Sequence, residues 1–262
     1  METTNTAVLL QVVICTHGLD GLMRTAAMTL PQLPRISWLV ECQTDADAPL
    51  PDVPEALRRT DINVRFNHTR GLSANRNLML RDATAPFVLI ADDDLAFHPG
   101  GLMQLVEIMQ AHPDITLFCF RHDGPGRRRY PRGETPLLAH ALRRHYPCAC
   151  EIALRVDDVR ERGLRFNELA GIGAPVLCAG EEDLFVYHLL DSGLRGRFFP
   201  ITVAIHPALS TYNAVRSPAV WITRGAVFRA MHPRSWLLRV LRHPRHLRLL
   251  LKGAAYARRN RL

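Results

Sequence analysis

Three consecutive carboxylates close an apolar run in this chain, where Phe87-Val88-Leu89-Ile90-Ala91 leads directly into Asp92-Asp93-Asp94. The run reads as a buried strand, and open α/β sheets bind their ligands outside the carboxyl ends of their strands. Adjacent carboxylates repel one another unless a cation sits among them, and hard oxygen donors in a short run suit Mg²⁺ or Mn²⁺ shared with a substrate diphosphate. A solvated strand-to-loop turn, with Asp as the turn former, is the plain alternative. A second acidic group, Gly180-Glu181-Glu182-Asp183, opens a predicted helix through Leu190 that ends at Gly193. Carboxylates in a first helical turn are also favoured by the helix dipole, by roughly 0.3–1 kcal/mol each when exposed.

The elements that must position these groups alternate. Ala7–Thr16 reads as a buried strand closed by His17-Gly18, followed by a helical stretch near Leu22–Leu30 and a strand Ser37–Cys42. Ile62–Phe66 is a third, short strand. Gly71-Leu72-Ser73-Ala74-Asn75-Arg76-Asn77 opens a helix with Ser73 as its expected N-cap, and the strand Phe87–Ala91 follows. This order predicts an α/β protein with a mixed, mostly parallel, Rossmann-like sheet between helices. No G-x-G-x-x-G loop follows the first strand, which disfavours an NAD-type dinucleotide site. Farther on, a helix near Gly101–Gln110, a strand Ile115–Phe120, a Gly-, Pro- and Arg-rich loop over Arg121–Pro136, a strand Cys148–Leu154 and a strand Phe198–Ile205 are expected. The loop is either a mobile segment near the site or a solvated surface loop.

Composition narrows the class. The 262 residues are 47% hydrophobic, enough for a large α/β domain with or without an appendage. The net charge of +8 is unevenly placed: of 33 basic residues, 14 follow Asp191, where no acidic residue occurs, so the first 191 residues hold 19 basic against 25 acidic. Arginine dominates and lysine is nearly absent, which fits a GC-rich bacterial genome. Six cysteines without C-x-x-C spacing argue against zinc sites and a disulfide framework, and fit a reducing cytosol. The apolar run Ala7–Cys15 is too short to span a bilayer, so membrane contact is expected from the surface alone.

In their order along the chain, a strand ending in Thr16, a second ending in Glu41, the Arg76-Asn77 helix, the Asp92–Asp94 triplet and the Gly180–Asp183 turn resemble a glycosyltransferase of family 2 with the GT-A fold. The resemblance covers roughly residues 8–206 and implies a catalytic domain over 1–212 with a basic extension over 213–262. It implies an inverting, metal-dependent transfer from a nucleotide-sugar donor to a saccharide or lipid-linked acceptor, with Mn²⁺ or Mg²⁺ as cofactor. By similarity, Asp94 would ligate metal, Asp93 would accept from ribose hydroxyls, and Asp92 would support either. Thr16 and Glu41 would line the nucleobase pocket, Glu41 standing where the family usually has Asp. Asp183 matches the family's catalytic base, with Glu182 its nearest rival, because neighbouring helical side chains diverge by about 100°. Arg76 is placed near the nucleotide phosphates or the acidic loop, with Arg70 as substitute, or else in a salt bridge within its helix. His206, closing the last strand, either completes the metal site or is simply packed.

The C-terminal H-P-R repeats, His232-Pro233-Arg234 and His243-Pro244-Arg245, predict two short helices with Pro233 and Pro244 at first helical positions. Arginines at three- and four-residue spacing beside Trp236 and leucines read as a peripheral contact with an anionic membrane, or as a helical pair packed on the catalytic domain. No nucleic-acid motif accompanies the charge, so nucleic acid is not an expected partner. A cytoplasmic enzyme at the inner face of a bacterial plasma membrane, building surface polysaccharide or lipid-linked glycan, is the leading expectation. A nucleotidyltransferase of related fold and an inactive sugar-nucleotide-binding domain with a recruiting tail are the alternatives.

Overall fold

A computed structural model describes residues 7–124, 130–139, 147–206 and 217–262. Strands β1 (Leu10–His17), β2 (Ile36–Gln43), β3 (Ile62–Asn67) and β4 (Phe87–Ala91) form a parallel block in the order β3-β2-β1-β4. Helices α1 (Gly18–Ala27) and α2 (Leu72–Asp82) make two of the crossovers. The sheet continues through β8 (Ile152–Arg155), which runs antiparallel to both β4 and β6 (Leu117–Asp123), and then to β9 (Gly196–Ile205), parallel to β6. The short strands β5 (Ala96–Phe97) and β7 (Thr135–Leu137) both pair with β9.

Alternation along β1 explains why the sheet is covered on both faces. Leu10, Val12 and Ile14 join Trp38, Val40 and Leu89 in one core, under α1 and α3 (Pro99–Ala111). Val13 and Cys15 turn to the other face and pack with Leu39, Val88 and Ile90 among residues of α2, α4 (Val156–Glu161) and α5 (Glu181–Asp191).

The second core also takes Ala226, Val227 and Met231 of α6 (Pro218–Met231) and Ala257 of α8 (Leu247–Asn260). A Cβ at Gly225 would overlap the Leu250 carbonyl and one at Gly253 would overlap the Ile222 carbonyl, so the two helices approach backbone to backbone. The basic C-terminal helices therefore pack against the second core along one face. Its short α7 (Trp236–Leu241) leaves Leu237, Leu238 and Leu241 exposed. No helix among the described residues is long and apolar enough to cross a membrane.

Several expected boundaries move. Ser73 does not cap α2; Gly71 holds the N-cap position and the Ser73 hydroxyl donates instead to the Ala170 carbonyl at 2.6 Å. Cys148–Glu151 is not strand, because Ala149–Glu151 forms a 3-10 turn ahead of β8. The expected loop from Arg121 is partly strand, at β6 and β7; its residues 125–129 lie outside the described ones, as does the expected division at 212/213. Pro233 sits in the turn before α7 rather than at a first helical position, while Pro244 opens a separate 3-10 turn.

Candidate active site

The parallel strands end together, and α2 ties those ends to the rest of the domain through four polar side chains, Ser73, Asn75, Arg76 and Asn77. Asn75 is buried; its amide donates to the Glu41 carbonyl at 2.8 Å and the Thr16 carbonyl at 3.3 Å, and its oxygen accepts from Asn67 at 2.9 Å. β1, β2 and β3 are thereby laced at their carboxyl edge. Ser73 and Asn77 bind the segment ahead of α5, Asn77 through the Phe166 carbonyl at 3.0 Å and the Phe166 amide at 2.8 Å.

Arg76, 1% exposed, is the centre of the arrangement. Its guanidinium donates to Glu181 at 3.1 Å, Glu182 at 2.9 Å and Asp92 at 3.3 Å. Burial works against its charge, but Glu182, Asp92 and Glu181 outweigh burial and hold its pKa above the ordinary arginine value. The salt bridges thus join the two acidic motifs across the domain rather than closing within one helix. Desolvation raises the pKa of Asp92 against the pull of Arg76, and burial together with neighbouring Glu182 raises Glu181 to about 8. Gly180, at φ +89°, supplies the left-handed turn that starts α5 and aims its first carboxylates at Arg76.

These groups line a cavity of about 720 Å³, within the range of sites that hold small ligands. Its wall includes Thr16, Arg70, Asp92, Asp93, Asp94, Glu182 and His206. Asp93 accepts from the Thr16 hydroxyl and from Arg24, whose Nη2 lies at 2.8 Å. Asp94 is exposed and makes no hydrogen bond or ion pair among the described residues, so its oxygens face the cavity uncommitted. Asp92, Asp94 and His206 all line the cavity and are donors of the hard, mostly oxygen type that suits Mg²⁺ or Mn²⁺.

Two predicted residues stand elsewhere. Glu41 does not line the cavity: it is 1% exposed beneath it, with Asn67 donating at 3.4 Å to one oxygen and the other oxygen without a hydrogen-bond partner. Burial raises its pKa to about 7. Because β2 runs one residue past the expected end, to Gln43, that residue forms the wall instead, with Thr44 and Asp45 beyond it. Asp183 is likewise absent from the lining, whereas Glu182 faces in. Arg24 inside α1, Gln43 at the last position of β2 and the Ile172-Gly173 wall between α4 and α5 also line the cavity, and no motif in the sequence marks them.

Residues 49–163 match the model of the family described as glycosyl transferase family 2. Over those residues the chain is similar to that family. Its fold is GT-A, similar to that of TarS from S. aureus. A structure of TarS 1–349 aligns with a TM-score of 0.59 at 14% identity, over 97% of this chain and 92% of that one. The same protein in complex with UDP-GlcNAc aligns at 0.56 and 14% identity, over 84% of this chain and 66% of that one, and in complex with UDP at 0.55 and 15%, over 85% and 66%. No curated protein matches the chain by sequence.

Proposed function

We propose that this glycosyltransferase moves a sugar from a nucleotide-sugar donor, UDP-linked as in the TarS complexes, to an acceptor hydroxyl by a single displacement with inversion. The observation that carries the reading is Arg76, which holds the end of β4 and the start of α5 together at one cavity wall. Asp94, Asp92 and His206 would hold the divalent cation, which supplies charge neutralisation for the departing diphosphate when bound. Arg76 is committed to three carboxylates. Arg70, exposed at the cavity and without a hydrogen bond or ion pair among the described residues, is the cation left for the phosphates.

The base belongs to the Glu181–Asp183 turn. Glu182 is the member that faces the cavity, with Oε1 oriented by Arg76 and its other oxygen without a hydrogen-bond partner among the described residues; it is the better candidate to take the acceptor proton. Asp183, the family-like choice, is the alternative on the same turn. The acceptor is a surface glycan or lipid-linked saccharide at the inner face of a bacterial membrane, met through the basic extension and its exposed leucines. Release of nucleoside diphosphate from UDP-, GDP-, dTDP- and CDP-sugars, with and without Mn²⁺, tests the donor. Release from none of the four would overturn the reading.

A further inference from the structure

A second set of metal-type donors lies beside the acidic wall and takes no part in the chemistry above. Among the described residues, His122, Cys148 and Cys150 each place one ligand atom within 4.8 Å of the others. His122 lies near the end of β6, while the cysteines bracket Ala149 in the turn leading into β8, and antiparallel pairing of β6 with β8 brings the two together. The Cys148 Sγ is 3.5 Å from His122 Nδ1 and 3.4 Å from the Cys150 Sγ. Tetrahedral Zn²⁺, with thiolates at about 2.3 Å and imidazole at about 2.0–2.1 Å, sets neighbouring donors about 3.5–3.8 Å apart. Two of the three separations are close to that spacing already and the third is within 4.8 Å, and two sulfurs with an imidazole select zinc over the hard cations suited to the aspartates.

The surroundings supply the supporting groups such a site needs. Glu151, fully buried, accepts from the Cys148 backbone N–H at 3.0 Å and from the Tyr130 hydroxyl, and it lies 2.9 Å from His122 Nδ1. In the metal-free protein His122 Nδ1 shares hydrogen bonds with Cys148 and Glu151. Metal entry replaces these contacts and displaces the protons of the two thiols, and Glu151 keeps Tyr130 and the Cys148 amide as donors.

We propose that His122, Cys148 and Cys150 form a Zn²⁺ site, open at a fourth position to water or another donor, that clamps β6 to the turn before β8. The clamp bears on the cavity through His206, whose ring lies 5.7 Å from that of His122 and whose backbone N–H donates to the Asp123 carbonyl at 2.7 Å.

Cobalt titration of the reduced, metal-stripped full chain tests the site. One Co²⁺ per chain should produce a thiolate-to-metal charge-transfer band and tetrahedral d–d bands, both bleached by one equivalent of Zn²⁺. Cys148→Ser and His122→Gln should each weaken Zn²⁺ retention against a chromogenic chelator by at least about 10–100-fold. Asp94→Asn should leave the cobalt spectrum unchanged, which separates this site from the acidic wall. A folded wild-type chain without the charge-transfer band, or a band that survives Cys148→Ser, would overturn the proposal and leave a hydrogen-bonded dithiol.

Discussion

At the scale of single residues, the site depends on which carboxylates are free and which are committed. Glu182→Gln should leave donor affinity nearly intact and lower turnover by roughly two to four orders of magnitude, the usual cost of losing a general base, while Asp183→Asn keeps most activity. Steady-state kinetics showing the reverse order would return the role to Asp183. Asp94→Ala should abolish the gain in donor affinity produced by Mn²⁺, read by calorimetry with and without EDTA; equal affinity in the two conditions for the wild type would exclude a metal role. Glu41 gives a pH signature. Its folded pKa of about 7, raised from 4.5 by burial, means that the folded state holds the proton more tightly than the unfolded chain. That contribution is fully present below the unfolded value and is lost as pH rises through about 7, an effect of order 1–3 kcal/mol. Glu181, raised to about 8, acts in the same direction. Melting temperature should fall from about pH 5 to about pH 8, and Glu41→Gln should flatten the first part of that slope. The aspartate triplet and the Glu-Glu-Asp turn were legible because chemistry concentrates charge there. The zinc-type cluster was not, since a C-x-C pair completed by a histidine from another strand has no fixed spacing to read.

At the scale of elements, β1 to β4 and α5 were legible within one to three residues because continuous apolar runs between turn formers leave little choice. α2 is legible in the sequence, but its capping is not: Ser73 has a tertiary partner in Ala170 that local pattern does not contain. α6 went unread, since its apolar and small residues carry weak amphipathic patterning and its meaning lies in α8. Gly225 and Gly253 make that meaning testable. Gly→Ala inside a helix ordinarily gains about 0.5–1 kcal/mol. Here Gly253→Ala should instead destabilise by about 1–3 kcal/mol, seen in denaturant melts, because the added methyl meets the Ile222 carbonyl. A neutral or stabilised variant would show that α6 and α8 have room to separate.

At the scale of the whole molecule, a net acidic stretch up to Asp191 is followed by a basic helical layer that is partly core and partly surface. Truncation before Pro233 would strip Val240, Leu250, Ala254 and Ala257 from buried positions, so it tests folding as much as docking. Replacing Leu237, Leu238 and Leu241 by Ser touches only exposed side chains. Cosedimentation with anionic vesicles should fall while donor hydrolysis in solution is unchanged; equal binding by both forms would assign the layer to packing alone. Arg76 has a further consequence, for synthesis on the ribosome. It pairs with Glu181 across 105 residues of sequence. A nascent chain that has not yet extended past α5 has only Asp92 with which to neutralise that guanidinium, and burying a charge short of its partners is expensive. The parallel strands can form early, but the native seating of Arg76 must wait for α5. A stalled chain ending near residue 170 should accordingly be far more sensitive to protease than one released after residue 191, with the catalytic wall among the last parts of the domain to close.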